Sequence, residues 1–359
     1  SDEVLKQAGR EDSQKITLSE VQDSRVLFMD YECNALIFVA NYLLQPKSAL
    51  QLFRRSLRIN GLESFEIRFR PTYQGKKPVK LTNELKGYVE LFRKSASSCE
   101  TQADGVTEVF RFVDLNSAAK TLKKSLGRAE LLFEAFYKLS LLNALALSSK
   151  ERDFYLKSDL GAGQLERPPT VPRSERVFSL ENIKVNLTKP KCTIDYAGLS
   201  DGEHQFLQIF GGVLLFNQPG CIFLFDEPET HFNPQWRRRS IEWLANIKSS
   251  AKQELMISTH SPFVVSGCKG KNVFEFLRKG GKCMCLPVDI ETFGASSDFL
   301  LSRLFGMETM VAAEAIRLME DLVNDGSIEE LRAAIPQFGE SIEKRFIFER
   351  IAELEKKKR

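Results

Sequence analysis

The stretch CIFLFDEPETHFNP, Cys221 to Pro234, opens with an apolar run, stops on two adjacent acids, Asp226 and Glu227, and turns at Pro228. The run Cys221 to Phe225 reads as a strand buried on both faces, the kind found in parallel sheets. Such a strand delivers Asp226 and Glu227 to its C-terminal end, where open parallel α/β sheets bind their ligands. Consecutive side chains point in different directions. One carboxylate is therefore able to hold Mg²⁺ through water while the other reaches an attacking water as a base. Taken alone, an Asp-Glu-Pro turn that merely ends a strand is common, so the neighbouring segments decide.

Downstream, ELMIST is another buried-strand pattern, and it presents Thr259, His260 and Ser261 at its end. A strand-end histidine is able to sense a γ-phosphate, although a single one is more often a structural hydrogen-bonder. Upstream, LSDGEHQFLQIF, Leu199 to Phe210, places Ser200 and Gly202 at a predicted helix N-terminus. There a hydroxyl, exposed backbone N–H groups and the positive end of the helix dipole make an anion site. The plainer reading is an N-cap, with Ser200 or Asp201 capping a helix that carries Glu203 in its first turn. What chance supplies poorly is the three elements in order.

Working outward, the pattern from Val177 predicts strand (178–185), helix (203–216), strand (221–225), helix (234–247), strand (254–258), a short helix after Pro262 and two strands (273–277 and 283–288). Alternating strand and helix argues for an α/β fold with a mostly parallel sheet flanked by helices. Nearer the start, a short apolar run (26–29) reads as a strand and 34–44 as a helix. SFEIRFRP alternates Phe65, Ile67 and Phe69 against Glu66, Arg68 and Arg70 and reads as a half-buried strand stopped by Pro71, with a second at 107–113. Helical patterns fill the rest of this half, the clearest at 129–147. Residues 1–150 thus form a first region with a helical insertion, and 151–176, rich in Gly and Pro, form a linker. The core motifs occupy 177–290, and 291–359 is a helical C-terminal region broken at Gly306, Gly326 and Pro336.

The 359 residues carry a formal charge of +3, so the whole-chain field signals neither nucleic acid nor membrane. Arg237-Arg238-Arg239 and the terminal Lys356 to Arg359 are candidates for binding anions, and Arg54, Arg55, Lys76, Lys77, Lys123 and Lys124 of the insertion are candidates for nucleic acid, a solvated surface being the plainer reading of each. Seven scattered cysteines without CxxC spacing suggest neither a disulfide framework nor a zinc finger and fit a reducing, cytoplasmic setting. The apolar run 35–44 is about half the length of a membrane span. The sequence starts SDEVLKQ without a methionine, as a trimmed part of something longer would.

In this order the motifs resemble those of ABC-type ATPases. LSDGEHQ is similar to their signature motif, CIFLFDE to their Walker B strand, PETHFNP to their D-loop and STHSP to their switch histidine, over roughly Val177 to Val288. Within that superfamily, DEPETHFNP, STHSPFVVS and TFGASSDFLLSRLFG resemble the ATPases of bacterial antiphage defence, in particular the PtuA family of Septu systems, also found in retrons and beside restriction systems. The resemblance implies ATP and Mg²⁺ as cofactors. It assigns Asp226 to the metal, Glu227 to the general base and His260 to phosphate sensing. Ser200, Asp201, Gly202 and Glu203 fall to the γ-phosphate of a nucleotide bound on a partner subunit, and Asn233, or His231 beside it, to the D-loop interface. The implied partners are a second copy in at least a dimer, an HNH nuclease of the PtuB type, a reverse transcriptase with its RNA–DNA product in the retron versions, and DNA; no membrane is implied.

One departure is large: no GxxxxGK[ST] occurs anywhere in the chain, and GAGQ at Gly161 lacks the lysine. The retention of Glu227 and His260 favours an N-terminal P-loop lobe that is missing over a decayed site. The only histidines, His204, His231 and His260, all lie inside these motifs, so an HNH nuclease is not encoded here, and no second acid cluster suggests a Toprim nuclease. The alternatives are an SMC- or RecF-like ATPase of DNA repair, which long heptad arms would favour and which this chain lacks; a transporter ATPase; and a non-hydrolysing scaffold.

Overall fold

The computed structural model describes residues 27, 29–74, 77–148, 171–247, 253–307 and 309–357. CNALIFVANYLL is apolar around almost its whole circumference and forms α1 (Cys33–Leu44) with ten of its twelve residues buried, as a helix with no polar face must be. The short α2 (Gln51–Ser56) leads into the long strand β1 (Ile59–Phe69). A small hairpin of β2 (Thr72–Tyr73) and β3 (Lys77–Pro78) follows. Next come α3 (Asn83–Ser95), β4 (Ser98–Thr101), β5 (Glu108–Phe112), α4 (Leu115–Leu126) and α5 (Ala129–Ser140). The helical pattern read at 129–147 tightens into a 3₁₀ turn over Leu141–Ala146. Of the strand read at 26–29, Val26 and Phe28 lie outside the described residues, and Leu27 and Met29 are not in a strand.

Beyond the linker, of which 151–170 lies outside the described residues, β6 (Phe178–Leu187) and β7 (Thr193–Asp195) complete a five-stranded sheet of order β4-β5-β1-β6-β7. Every pairing in it is antiparallel, which corrects the expectation of a mostly parallel sheet. The reason is visible in β1. Phe65, Ile67 and Phe69 are buried while Glu66 and Arg68 face outward, and a sheet with one dry and one wet face is the antiparallel kind. Phe65 stacks on Phe112 across the strands, with ring centroids 4.3 Å apart, and Glu66 accepts a 2.9 Å hydrogen bond from Arg111 Nε on the opposite face.

The signature turn then starts α6 (Asp201–Leu215), which lies along α1. Asn41 Nδ2 donates to Gly211 O at 3.1 Å across that contact and to Ile37 O, one turn back on α1, at 3.0 Å. β8 (Ile222–Asp226), α7 (Pro234–Ile247) and β9 (Glu254–Ser258) follow. Among the described residues β8 and β9 are the one parallel pair, with Asp226 opposite Ser258. The whole is a mixed α/β fold consistent with an ATPase of the AAA/ABC type.

The chain divides into two units, Ser1–Thr259 and His260–Arg359. The second begins with the short α8 (Pro262–Val265) and an antiparallel hairpin of β10 (Phe274–Lys279) and β11 (Lys282–Pro287). Gly280 and Gly281 turn it, both at positive φ, as tight hairpin turns require. After α9 (Ser297–Phe305), the helices α10 (Ala313–Asp325), α11 (Ile328–Ala334) and α12 (Lys344–Lys357) pack around Met319, Leu331, Ile347 and Ile351. Among the described residues no helix is long and apolar enough to cross a membrane.

Candidate functional site

The β8–β9 pair carries the acids. Phe223, Phe225, Leu255 and Ile257 alternate onto the core side, whereas Ile222, Leu224 and Met256 on the other side are 65, 73 and 63% exposed. The strand read as buried on both faces is thus buried on one. Alternation places Asp226 and Ser258 at the end of this open side, so an apolar face that parallel strands normally keep covered leads directly to the carboxylate. The Ser258 hydroxyl donates to Asp226 Oδ1. Among the described residues no group of three or more His, Cys, Asp or Glu forms a cage for a metal. One exposed carboxylate with a hydroxyl beside it suits Mg²⁺, which keeps its waters and is held by one or two carboxylates together with substrate phosphates.

Glu227 sits at φ +46°. A left-handed backbone costs an L-residue with a full side chain roughly 1–2 kcal/mol, and such outliers persist only where surrounding bonds impose them. Here they do. Glu227 N–H donates to Ser258 O at 3.1 Å, and Glu227 O accepts from Thr230 N at 3.2 Å and from Thr230 Oγ1 at 2.7 Å. The next loop is equally tied down: Arg237 donates from Nε to Phe232 O at 2.9 Å and from Nη2 to Thr230 O at 3.0 Å. Asn233 Oδ1 accepts from Trp236 N at 3.0 Å, making Asn233 the cap of α7 with Pro234 in its first turn. Thr259 follows β9, and its hydroxyl donates to Glu229 Oε1. His260 comes next in the chain and is exposed.

At the head of α6 a full capping box forms. Ser200 Oγ accepts from Glu203 N at 3.4 Å, while the Ser200 N–H and hydroxyl donate to Glu203 Oε2 at 2.8 and 2.9 Å. The Ser200 proton is therefore held by Glu203. Asp201 and Gly202 supply the first-turn N–H groups that a helix leaves open. Gly202 has a steric reason as well: a Cβ there would lie 2.7 Å from the His231 carbonyl oxygen. Together with His231 N donating to Gln205 Oε1 at 2.9 Å, this close approach packs the signature turn onto the loop that follows the acid pair. His204 is a core residue. It is 3% exposed and edge-on to Tyr196 at 4.7 Å and Tyr31 at 5.7 Å. Burial depresses its pKa, against the opposing pull of Asp201 and Glu203.

Three contributors were invisible to sequence reasoning. Glu229 is 2% exposed, and its Oε2 has no hydrogen-bond partner among the described residues; its burial depends on Thr259, thirty positions away. Gln205 and Arg237 act on the loop through backbone groups, which leaves no pattern in the residue types. Of the basic clusters, Lys76 lies outside the described residues, while Lys77, Lys123 and Lys124 are exposed on β3 and α4.

Comparison with known proteins gives two findings. Residues 113–266 match the family described as "AAA domain, putative AbiEii toxin, Type IV TA system", a stretch that includes the signature turn, the acid pair, the following loop and His260. Protein ea59 of Escherichia phage lambda is 30% identical over 87 residues, which are 24% of this chain and 17% of that protein. The family match supports an ATPase function and agrees, at that coarse level, with an ATPase associated with bacterial defence.

Proposed function

We propose that the chain is the ATP-hydrolysing subunit of an antiphage complex of the PtuA kind, dimerising through composite ATP sites and controlling a partner nuclease of the HNH type. The observation that carries this reading is the open apolar side of β8–β9 running into Asp226, with the strained Glu227 directly behind it. A β-α unit bearing the phosphate-binding loop, supplied by polypeptide other than these 359 residues, covers that side. Burying Ile222, Leu224 and Met256 is worth about 1–2 kcal/mol each, given how much of each is exposed. The same unit sets nucleotide phosphates over Asp226.

In this reading Asp226 holds Mg²⁺, which neutralises charge on the phosphates when bound. Glu227, its backbone imposed by Ser258 and Thr230, accepts the proton of the attacking water. His260 donates to the γ-phosphate. Ser200 and the N–H groups of Asp201 and Gly202 meet the γ-phosphate of a nucleotide on the second copy, for which the Ser200 hydroxyl must turn away from Glu203. Because Asn233 Oδ1 is committed to capping α7, its contribution across the interface is made through its amide nitrogen or the backbone around it. The missing GxxxxGK[ST] motif favours a second reading, a nucleotide-free scaffold. Light scattering of the native protein separates the two: Glu227→Gln with ATP and Mg²⁺ should accumulate as a dimer, and adding Ser200→Arg should return it to monomer. A dimer population indifferent to ATP in both variants refutes the composite site.

A further inference from the structure

We infer that the cleft between α2 and α7 binds single-stranded nucleic acid. The cleft holds about 680 Å³ and is lined by Gln51 and Arg55 from α2 and by Gln235, Trp236, Arg239 and Trp243 from α7. Each of two basic clusters about 180 positions apart in the sequence sends one arginine, Arg55 or Arg239, to line it. The segments 46–56 and 234–247 carry Lys47, Arg54, Arg55, Arg237, Arg238 and Arg239 against a single acid, Glu242. That local excess exceeds the +3 of the whole chain, so these two segments are positive while the rest of the sequence sums to a net negative charge.

The chemistry within the cleft is selective. The Arg239 guanidinium lies over the Trp243 ring, 5.0 Å from its centroid, which presents a flat cationic surface on which a base is able to stack. Arg239 shares its charge with Glu242 at 3.4 Å in an exposed pair, which salt and water screen strongly. Arg55 makes no hydrogen bond or ion pair among the described residues and is free to take a phosphate. Gln51 and Gln235 are exposed amides able to meet base edges. Since Arg55, Gln51, Gln235 and Arg239 all face solvent, the cleft is open along its rim. Such a shape suits a strand running through it better than a small molecule enclosed on all sides. This assignment does not rest on ATP hydrolysis, because no residue of the acid-pair turn lines the cleft.

The test is built into the protein. Its only two tryptophans, Trp236 and Trp243, both line the cleft, so intrinsic tryptophan emission reports on it, and Arg55→Glu separates the cleft from the signature turn, which Trp236 also borders. Native protein is titrated with oligo(dT) of about 16 nucleotides, and in a parallel arm with free dTMP. Oligo(dT) should quench the emission, and Arg55→Glu should weaken binding at least tenfold while Lys356→Glu leaves it unchanged. Joint replacement of Arg55 and Arg239 by Gln should reduce the log–log salt slope by about 1.4, the share of two phosphates on a single strand. Quenching by dTMP with no gain for the oligonucleotide would replace the strand by a free nucleotide and overturn the proposal. Absence of quenching in both arms, or equal affinity in Arg55→Glu, would overturn it too.

Discussion

Gly202→Ala places a methyl group 2.7 Å from the His231 carbonyl oxygen, where ordinary contact begins at 3.4 Å. The helix head and the loop must separate by about 0.7 Å, and the obstacle is backbone fixed by Gln205 and, through its neighbours, by Arg237. Overpacking of this kind costs about 1–3 kcal/mol. Against it stands the helix preference for Ala over Gly, about 1 kcal/mol at most and less in a first turn. The net expectation is a loss of about 1–2 kcal/mol, or a melting temperature lower by roughly 3–6 °C for a cooperative unit of this size. Gly87→Ala is the internal control. Gly87 is exposed inside α3 with nothing within 4 Å of a built Cβ, so the same change there should stabilise by about 0.5–1 kcal/mol. Thermal unfolding of the two variants should shift in opposite directions. Hydrogen exchange in Gly202→Ala should accelerate at 230–233. If Gly202→Ala stabilises as Gly87→Ala does, the close approach of the signature turn to the post-acid loop is wrong.

Three other outcomes follow from the site and its surroundings. The depressed pKa of His204 means the unfolded chain takes up a proton near 6.5 that the folded chain refuses, so stability should be flat above that pH and fall below it by up to about 1.4 kcal/mol per pH unit. His204→Phe should flatten the fall just below pH 6.5 in denaturant titrations, and an unchanged slope there would remove His204 as its source. Burial pushes the Cys33 thiol up to about 12, so iodoacetamide near neutral pH should label exposed thiols such as Cys192, Cys283 and Cys285 and spare Cys33 until the protein unfolds; early Cys33 labelling, read by peptide mass, would contradict its burial. Leu224→Lys should leave the unfolding free energy of the 359-residue chain within about 0.5 kcal/mol of wild type while lowering dye binding to apolar surface, and a large destabilisation would show that the open side of β8 is already covered.

The motifs were legible because each depends on short-range pattern. CIFLFDE and ELMIST declare strands by composition, and Ser200 with Glu203 three positions later is a local capping code, so the ends of β8, β9 and α6 fell close to expectation. What was not legible is set by distant partners. Nothing in Phe178–Val185 distinguishes a parallel from an antiparallel neighbour, and β6 took β1 because their alternating faces match. CIFLF reads as doubly buried, yet an open side depends on what packs there, which the run itself does not encode. The steric demand of the His231 carbonyl on Gly202, twenty-nine positions away, leaves no local signal. The helix cap that Asn233 supplies through Oδ1 was likewise not read from its motif. Basic clusters that were individually unremarkable became a site only when α2 and α7 met.

The central claim is that Glu227 is the base of an ATP-hydrolysing site. The direct measurement is steady-state phosphate release by the native protein with ATP and Mg²⁺, compared with Glu227→Gln, in which charge is lost while the left-handed turn and its bonds to Ser258 and Thr230 are kept. The account predicts turnover in the native protein and a loss of at least about a hundredfold in the variant, the scale of a removed general base, with nucleotide binding preserved. Equal turnover in the two proteins, or none in the native one, would contradict it.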